Sequence, residues 1–513
     1  MAAAHPLDPG LSRLKQNIVA NLSGRLIVAA VGLAVVPLIV RLMGIEAYGL
    51  VAFFTSIQAV FGLLDLGLSA TINRELARLS VNRDASTEMR DLVRTLESAY
   101  WGIAILIGAG MLALAPAVPR WVRPEHLSPG QIEQAALVMG IVMALQWPLS
   151  FYEGGLMGLQ RQVAWNAVSV SMSAVRQAGA VIVLWLVSPT VQTYLWWQAI
   201  AYGLQTGLTA WMVWRSMPAA ASRPRFRTSV LAGVWRFAAG MTGTTIATLG
   251  LTQMDKLVVS RMLPLNEFGY YSLAAVAAGG LNYVIGPIFA AVFPRFSELI
   301  AAGSLQTLRD EYHRVAQFSS VIVLAAACVL IVFAPQILQL WTRDPVVVAR
   351  AHRVLSVLAA GTALNALVHV PYALQLASGW TSLMMYANAI AVVVLVPATI
   401  LLVREFGAVG AAAAWVALNA GYVLITVPVM HRRLLRGDLG RWYTTDVAAP
   451  LIGAVAVVLL GRLALPANLD PWMLGGYLVL VSGMALTCAA LAAPAIRAAL
   501  VRAVGHRDWM TAG

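Results

Sequence analysis

Long unbroken runs of apolar residues, rather than a two-residue alternation or a one-sided helical stripe, dominate this 513-residue chain. Each run is close to the ~20 residues that a helix needs to cross a bilayer. They predict about fourteen transmembrane helices, at 17–42, 47–72, 98–119, 132–158, 164–187, 190–214, 236–262, 268–293, 315–341, 350–376, 382–403, 408–429, 446–466 and 472–495. The connections are short, so little chain remains for a soluble catalytic domain. The fold class expected is therefore an all-α polytopic membrane protein.

Composition agrees: 60% hydrophobic and 11% charged residues exclude a soluble domain of this length. The net charge of +13 would suit a polyanion, but its placement points elsewhere. Arginines and lysines gather in alternate connections: Arg13 and Lys15, Arg74 to Arg94, Arg215 to Arg227, Arg295 to Arg314, Arg432 to Arg441 and Arg497 to Arg507. By the positive-inside rule these connections are cytoplasmic, and with an even number of spans both termini are expected there too. Orientation against membrane lipid accounts for the charge, and no nucleic-acid partner is called for. Residues 1–11 lack the cationic lead and short apolar core of a cleaved signal, so none is expected. Cys328 and Cys488 lie in apolar runs without metal-ligand spacing, which implies neither a metal nor a disulfide.

Charges inside the spans carry the chemistry. Arg176 sits about 18 Å into the run 164–187, near the bilayer middle, where a cation costs roughly 3 kcal/mol or more and faces water, a counter-charge or a ligand. Arg25 lies in the first span, and Asp255 with Lys256 in the seventh. Together they predict a cationic cavity of about +2. The bland alternative is an intramembrane ion pair, such as Asp255 with Arg25, that only holds helices together. Asp65 near the end of the second span and His369 beside Pro371 in the tenth are candidate coupling groups, with capping and a buried hydrogen bond as their structural alternatives.

A repeat organises the chain. Arg41, Tyr48 and Gly49 after the first span match Arg261, Phe268 and Gly269 after the seventh, 220 residues later, and Asn166 matches Asn388. Six spans separate the copies, so they share one orientation and predict two parallel six-helix repeats around a central cavity, plus two extra C-terminal helices. The implied domains are 1–215, 216–435 and 436–513. At this offset Arg25, Asp65, Arg176, Asp255 and Lys256 fall opposite Thr245, Ile285, Val396, Val35 and Val36. Charges needed only to build the repeated scaffold would recur, so their single occurrence favours a ligand lying off the axis.

No enzyme signature appears. The two lysines, Lys15 and Lys256, have no phosphate-binding loop around them, there is no His-Glu-x-x-His, and the longest outer loop, near 120–130, is short for a glycosyl-transfer domain.

The order Arg41-Leu-Met-Gly with Tyr48-Gly49, Leu64-Asp65-Leu-Gly67, Asn73-Arg74-Glu-Leu-Ala, Met254-Asp255-Lys256, Phe268-Gly269-Tyr270-Tyr271 and Phe293-Pro294-Arg295 resembles the polysaccharide-biosynthesis flippases of the multidrug/oligosaccharidyl-lipid/polysaccharide exporter superfamily. Gly158-Leu-Gln-Arg161 also fits, while the second-half counterpart Ala377-Ser-Gly379-Trp380 departs from the pattern, and fourteen spans exceed the twelve of many relatives. The resemblance, over about residues 12–430, implies a non-enzymatic flippase of undecaprenyl-pyrophosphate-linked oligosaccharide in a bacterial cytoplasmic membrane, without a cofactor and working beside other polysaccharide-assembly proteins. Arg25, Arg176 and Lys256 would then meet the pyrophosphate, with Asp255 beside them. A drug or metabolite antiporter on the same fold would need an acidic cavity instead, and a membrane-embedded polymerase or ligase would need longer outer loops.

Overall fold

The computed structural model describes residues 28, 30–65, 67–81, 85–220, 222–228 and 253–505. Among these, nine helices are long and apolar enough to cross a membrane, and most of the span predicted at 236–262 and the start of that at 17–42 lie outside the described residues. In chain order the helices used below are α1 (Ala30–Met43), α2 (Ile45–Phe61), α3 (Leu68–Leu79), α4 (Ser86–Leu114), α5 (Pro129–Gln146), α6 (Leu149–Gly158), α7 (Gln162–Leu186), α8 (Val191–Ser216) and α9 (253–262). They continue as α10 (Leu265–Gly279), α11 (Asn282–Ala301), α12 (Leu305–Val332), α13 (Ala334–Thr342), α14 (Pro345–Ala377), α15 (Ser382–Gly421), α16 (Val427–Leu434), α17 (Ala449–Leu463), α18 (Pro471–Ala492) and α19 (Pro494–Gly505).

Several predicted spans are broken, each at or beside a glycine or a proline. The second stops in a tight turn at Gly62–Asp65, and Gly67, left-handed at φ 73°, restarts the chain as α3. The fourth breaks at Pro148, which starts α6. At Gly407, with φ 58° and ψ −139°, α15 divides between the spans predicted at 382–403 and 408–429.

The chain forms two compact units, 1–269 and 270–513. In the first, Ile72, Leu76, Val93, Leu96, Tyr100, Phe151 and Tyr152 make a nearly waterless core among α3, α4 and α6. Helix α6 lies directly on the backbone of α3: a Cβ at Gly154 would stand 2.4 Å from the Ser69 carbonyl, and one at Gly158 2.5 Å from that of Asn73. Small residues four apart permit this approach where lipid gives no hydrophobic drive. In the second unit, α12 packs on the last helix pair through Val321, Ala325, Ala454, Ala485 and Ala489, and Gly453 meets the Cys488 carbonyl.

The first unit extends to Gly269 because the chain from 260 onward is gripped there. A Cβ at Gly49 would be 2.4 Å from the Leu265 carbonyl, and one at Gly269 2.4 Å from the Ile45 carbonyl. Glu46 accepts N–H groups from Glu125, His126 and Leu127, at 2.7 to 3.3 Å. Asn266 reaches Glu125 at 2.6 Å, and Arg261 donates to the Arg120 and Trp121 carbonyls. Below, Asp91 takes the Arg225 N–H and the Arg227 guanidinium, both at 2.7 Å, which ties the segment after α8 onto α4.

Candidate functional site

Arg176 lies half-buried on α7 and is held by α8. Its guanidinium donates to Gln205 at 2.8 Å and stands 4.5 Å over the Tyr202 ring. The Trp197 indole donates to the Arg176 carbonyl at 2.9 Å while its ring covers Gly179, where a Cβ would lie 2.1 Å from it. Gln205 and Tyr202 thus offer the guanidinium an amide and an aromatic face, both uncharged. Such partners hold the cation in place without cancelling its charge.

Tyr202 also lines a cavity of about 540 Å³ in the first unit, with Gln58, Asp65, Gln146, Trp147, Ser150 and Glu153 among its walls. Asp65 is well supported there. Its two oxygens accept hydroxyl groups from Tyr100 at 2.5 Å, Ser69 at 2.7 Å and Ser150 at 3.3 Å. The close crossing of α3 and α6 fixes these partners, because Ser69 and Ser150 lie on the two helices that meet at Gly154. Gln58 donates to Gln146 across the cavity wall, which leaves an acceptor on one amide and a donor on the other. The turn toward the end of the second predicted span is therefore what turns Asp65 toward this space.

The other expected residues are dispersed. Lys256 bonds Gln253, one helical turn away, at 3.2 Å, and Asp255 is half-buried beside it. His369 belongs to the second unit, where its Nδ1 lies 2.9 Å from the Asn365 carbonyl and its ring meets Phe289 edge-on. Arg25 lies outside the described residues.

Two groups of functional interest escaped the sequence reading. Glu153 is a carboxylate inside the fourth predicted span, and the test that singled out Arg176 would have found it. In the second unit, His313 and Asp446 form a short hydrogen bond; Gln317 bonds Asp446 at 2.9 Å and accepts the Ala495 N–H at 2.9 Å. His313 also faces Asp438 at 3.9 Å, which Arg309 approaches at 3.5 Å, and Tyr312 meets His431 at 3.2 Å. Nothing in the sequence signals pairs 133 residues apart. On α3, partial burial works against the Glu75 charge, but hydrogen bonds from Arg74 and Arg78 outweigh it and hold the carboxyl below its usual range.

A family model described as "Polysaccharide biosynthesis protein" matches residues 14–300, and one described as MatE matches 241–401. A putative O-antigen transporter of Shigella flexneri is 20% identical over 409 residues, covering 78% of this chain and 93% of that protein. The succinoglycan biosynthesis transport protein ExoT of Rhizobium meliloti is 23% identical over 320 residues, 60% of this chain and 56% of that one. Among solved structures, the lipid II flippase MurJ in an inward closed conformation superposes with a TM-score of 0.67 at 11% identity, over 96% of this chain and 99% of that one.

Proposed function

The chain belongs to the polysaccharide biosynthesis protein family, within the multidrug/oligosaccharidyl-lipid/polysaccharide exporter superfamily, and on that premise we propose that it flips undecaprenyl-pyrophosphate-linked oligosaccharide repeat units across the bacterial cytoplasmic membrane. It is a multi-pass membrane protein, and its relatives are transporters rather than enzymes. The observation that carries the reading is Arg176, a cation deep in an apolar helix that is held by the uncharged Gln205 and Tyr202. A pyrophosphate supplies the counter-charge such a group needs, through two parallel N–H contacts. Lys256 and Arg25, with Asp255, complete the set we assign to the headgroup, and Asp65 and His369 remain the coupling candidates.

The repeat reading belongs here as well. Gly49 and Gly269 are 220 residues apart, as are Ile45 and Leu265, and each glycine lies against the other pair's carbonyl. That reciprocity supports two six-helix halves related by an axis through this crossing, with 436–513 appended and fourteen spans in all. Both termini are assigned to the cytoplasm. Reporter fusions after Trp214 and Arg433 should read inside, and one at Asn468 outside; agreement between Trp214 and Asn468 would overturn the span count.

The function is tested by Arg176→Ala, Lys256→Ala and Arg25→Ala in cells that depend on this protein for surface polysaccharide. Loss of one charge-assisted contact, roughly 1.5–3 kcal/mol or ten- to a hundredfold in affinity, should leave lipid-linked repeat units on the inner leaflet while membrane levels stay normal. Full export by all three variants at low expression would remove the mechanism. One observation favours a second reading: Asp65 and Glu153 give the first unit's cavity the acidic wall expected of a cation-coupled antiporter, and the MatE match covers part of the chain. Efflux of a lipophilic cation, with polysaccharide export unaffected by deletion, would favour it.

A further inference from the structure

We propose that the segment after α8, residues 222–228, is a built site for the phosphate headgroup of anionic phospholipid, an inference that does not depend on what the protein carries. Cations on chain leaving a membrane helix ordinarily move with that chain, whereas here the backbone is fixed first. The Asp91 side chain on α4 is 2% exposed and accepts the Arg225 N–H on one oxygen and the Arg227 guanidinium on the other, each at 2.7 Å. One turn on, the Thr95 hydroxyl accepts the Arg227 N–H at 3.0 Å. Ahead of the segment, Arg90 donates to the Pro218 carbonyl at 2.8 Å and stands 6.0 Å over the Trp214 ring. Alternate amides of the segment are thus held on α4, and the arginines start from a fixed base, which lowers the ordering cost of binding.

Depth and charge say what lies against it. On α8 the exposed Ile200, Leu204 and Leu208 follow one another at helical spacing and end in the exposed Trp211, with Arg215 5.8 Å over its ring. On α4 the exposed Ile105 and Leu106 form the matching apolar band. At 1.5 Å per residue Arg215 lies about 10 Å past Leu208, and Thr95 about 15 Å before Ile105, so the segment stands beyond both bands, at headgroup depth. An aromatic and cationic rim at the end of an apolar stripe is the pattern of a membrane–water boundary. Arg227 is paired with Asp91, but Arg223 and Arg225 are exposed and their side chains make no ion pair among the described residues. Each can hold a phosphodiester through two N–H contacts, and Phe226, 52% exposed beside them, can lie against the carbons below it. An acidic protein would satisfy the arginines but not the apolar stripe that leads to them, so lipid is the occupant.

The test titrates short-chain phosphatidylglycerol and phosphatidylcholine onto the purified full chain in neutral detergent and counts bound lipid by native mass spectrometry. The wild type should bind the anionic lipid about tenfold more tightly or better, and Arg223→Gln with Arg225→Gln should weaken that binding about fivefold for each arginine. Asp91→Ala separates a built site from loose charge. It removes a negative charge, so a surface acting by charge alone would bind phosphatidylglycerol as tightly or more tightly, whereas release of the segment should weaken binding several-fold. Thr95→Val changes no charge and should act in the same direction, which keeps the test open if Asp91→Ala fails to fold by its melting curve. Equal binding of the two lipids by the wild type, or an unchanged preference in the double arginine variant, overturns the inference. Undiminished phosphatidylglycerol binding in the folded anchor variants does so too. Should polyglutamate bind the wild type where phosphatidylglycerol does not, the surface docks an acidic protein and the lipid assignment is wrong. The flippase reading, tested by export, stands apart from each of these results.

Discussion

In the first unit Asp65 and Glu153 stand on the wall of an open cavity, whereas in the second unit Asp446, fully buried, is locked to His313 and Gln317 against the last helices. Both sites are built from carboxylates and hydrogen-bond donors brought from helices far apart in sequence. What differs is whether room remains for a ligand. The second site satisfies its carboxylate from within, using α12, the start of the last helix pair and the Ala495 N–H of α19, so it joins the C-terminal helices to the unit. The first site lines a cavity of about 540 Å³. Position within a membrane span, then, does not separate the two kinds of site, but the space beside them does.

The largest effect that would break this contrast belongs to the sealed site. Asp446→Ala strands a fully buried imidazole and the Gln317 amide, which should cost about 3 kcal/mol or more. Thermal unfolding of the detergent-purified variant should shift strongly downward, or the protein should fail to accumulate. A melting curve like that of the wild type would mean that the cluster is not structural. The next effect lies at the glycine crossing. Gly269→Ala places a methyl group 2.4 Å from the Ile45 carbonyl, so backbone must move, at roughly 1–3 kcal/mol. The same assay should show a clear but smaller loss, and Gly286→Ala, where a Cβ meets open space, is the matched control.

Asp65→Asn separates the two regions most directly. The amide keeps the shape and can still accept hydroxyls, so stability should fall by only about 1 kcal/mol. The negative charge in the cavity is gone, however, and export should drop by an order of magnitude or more if Asp65 couples transport. An unaltered export rate at low expression would confine Asp65 to packing.

How much of this was legible beforehand depends on the range of the interaction. The apolar runs announced the helices, because a bilayer demands the same pattern of any spanning segment. Arg176 stood out because a cation is costly at that depth. The break at Gly62–Asp65 was hidden: the run 47–72 is apolar on the whole, and the tight turn with the left-handed Gly67 after it is a feature that hydropathy does not register. Nor could the partners of Asp65 be read, since Tyr100 and Ser150 lie 35 and 85 residues away. His313 sits in the charged stretch Arg309-Asp-Glu-Tyr-His313-Arg314, which reads as a solvated helix end, yet it is buried beside Asp446 and Asp438.

The smallest expected effect tests the other end of the same scale. Glu75 carries two ion pairs, to Arg74 at 2.7 Å and Arg78 at 2.9 Å, so by count it is better paired than Asp446. Its arginines are 57% and 64% exposed, however, and water screens what they contribute. Glu75→Gln should therefore change stability by less than about 1 kcal/mol, well below the cost of Asp446→Ala. The pH dependence follows from the lowered folded-state value. A carboxyl that holds its proton less tightly when folded stabilises the protein above the ordinary carboxylate range, and that contribution fades as pH falls through the lower folded value. Wild type and variant should thus melt slightly apart at pH 7 and converge in acid, and the gap should narrow with added salt. If Glu75→Gln proved as damaging as Asp446→Ala, burial would not be what ranks these carboxylates, and the distinction between the sealed and the open site would lose its physical basis.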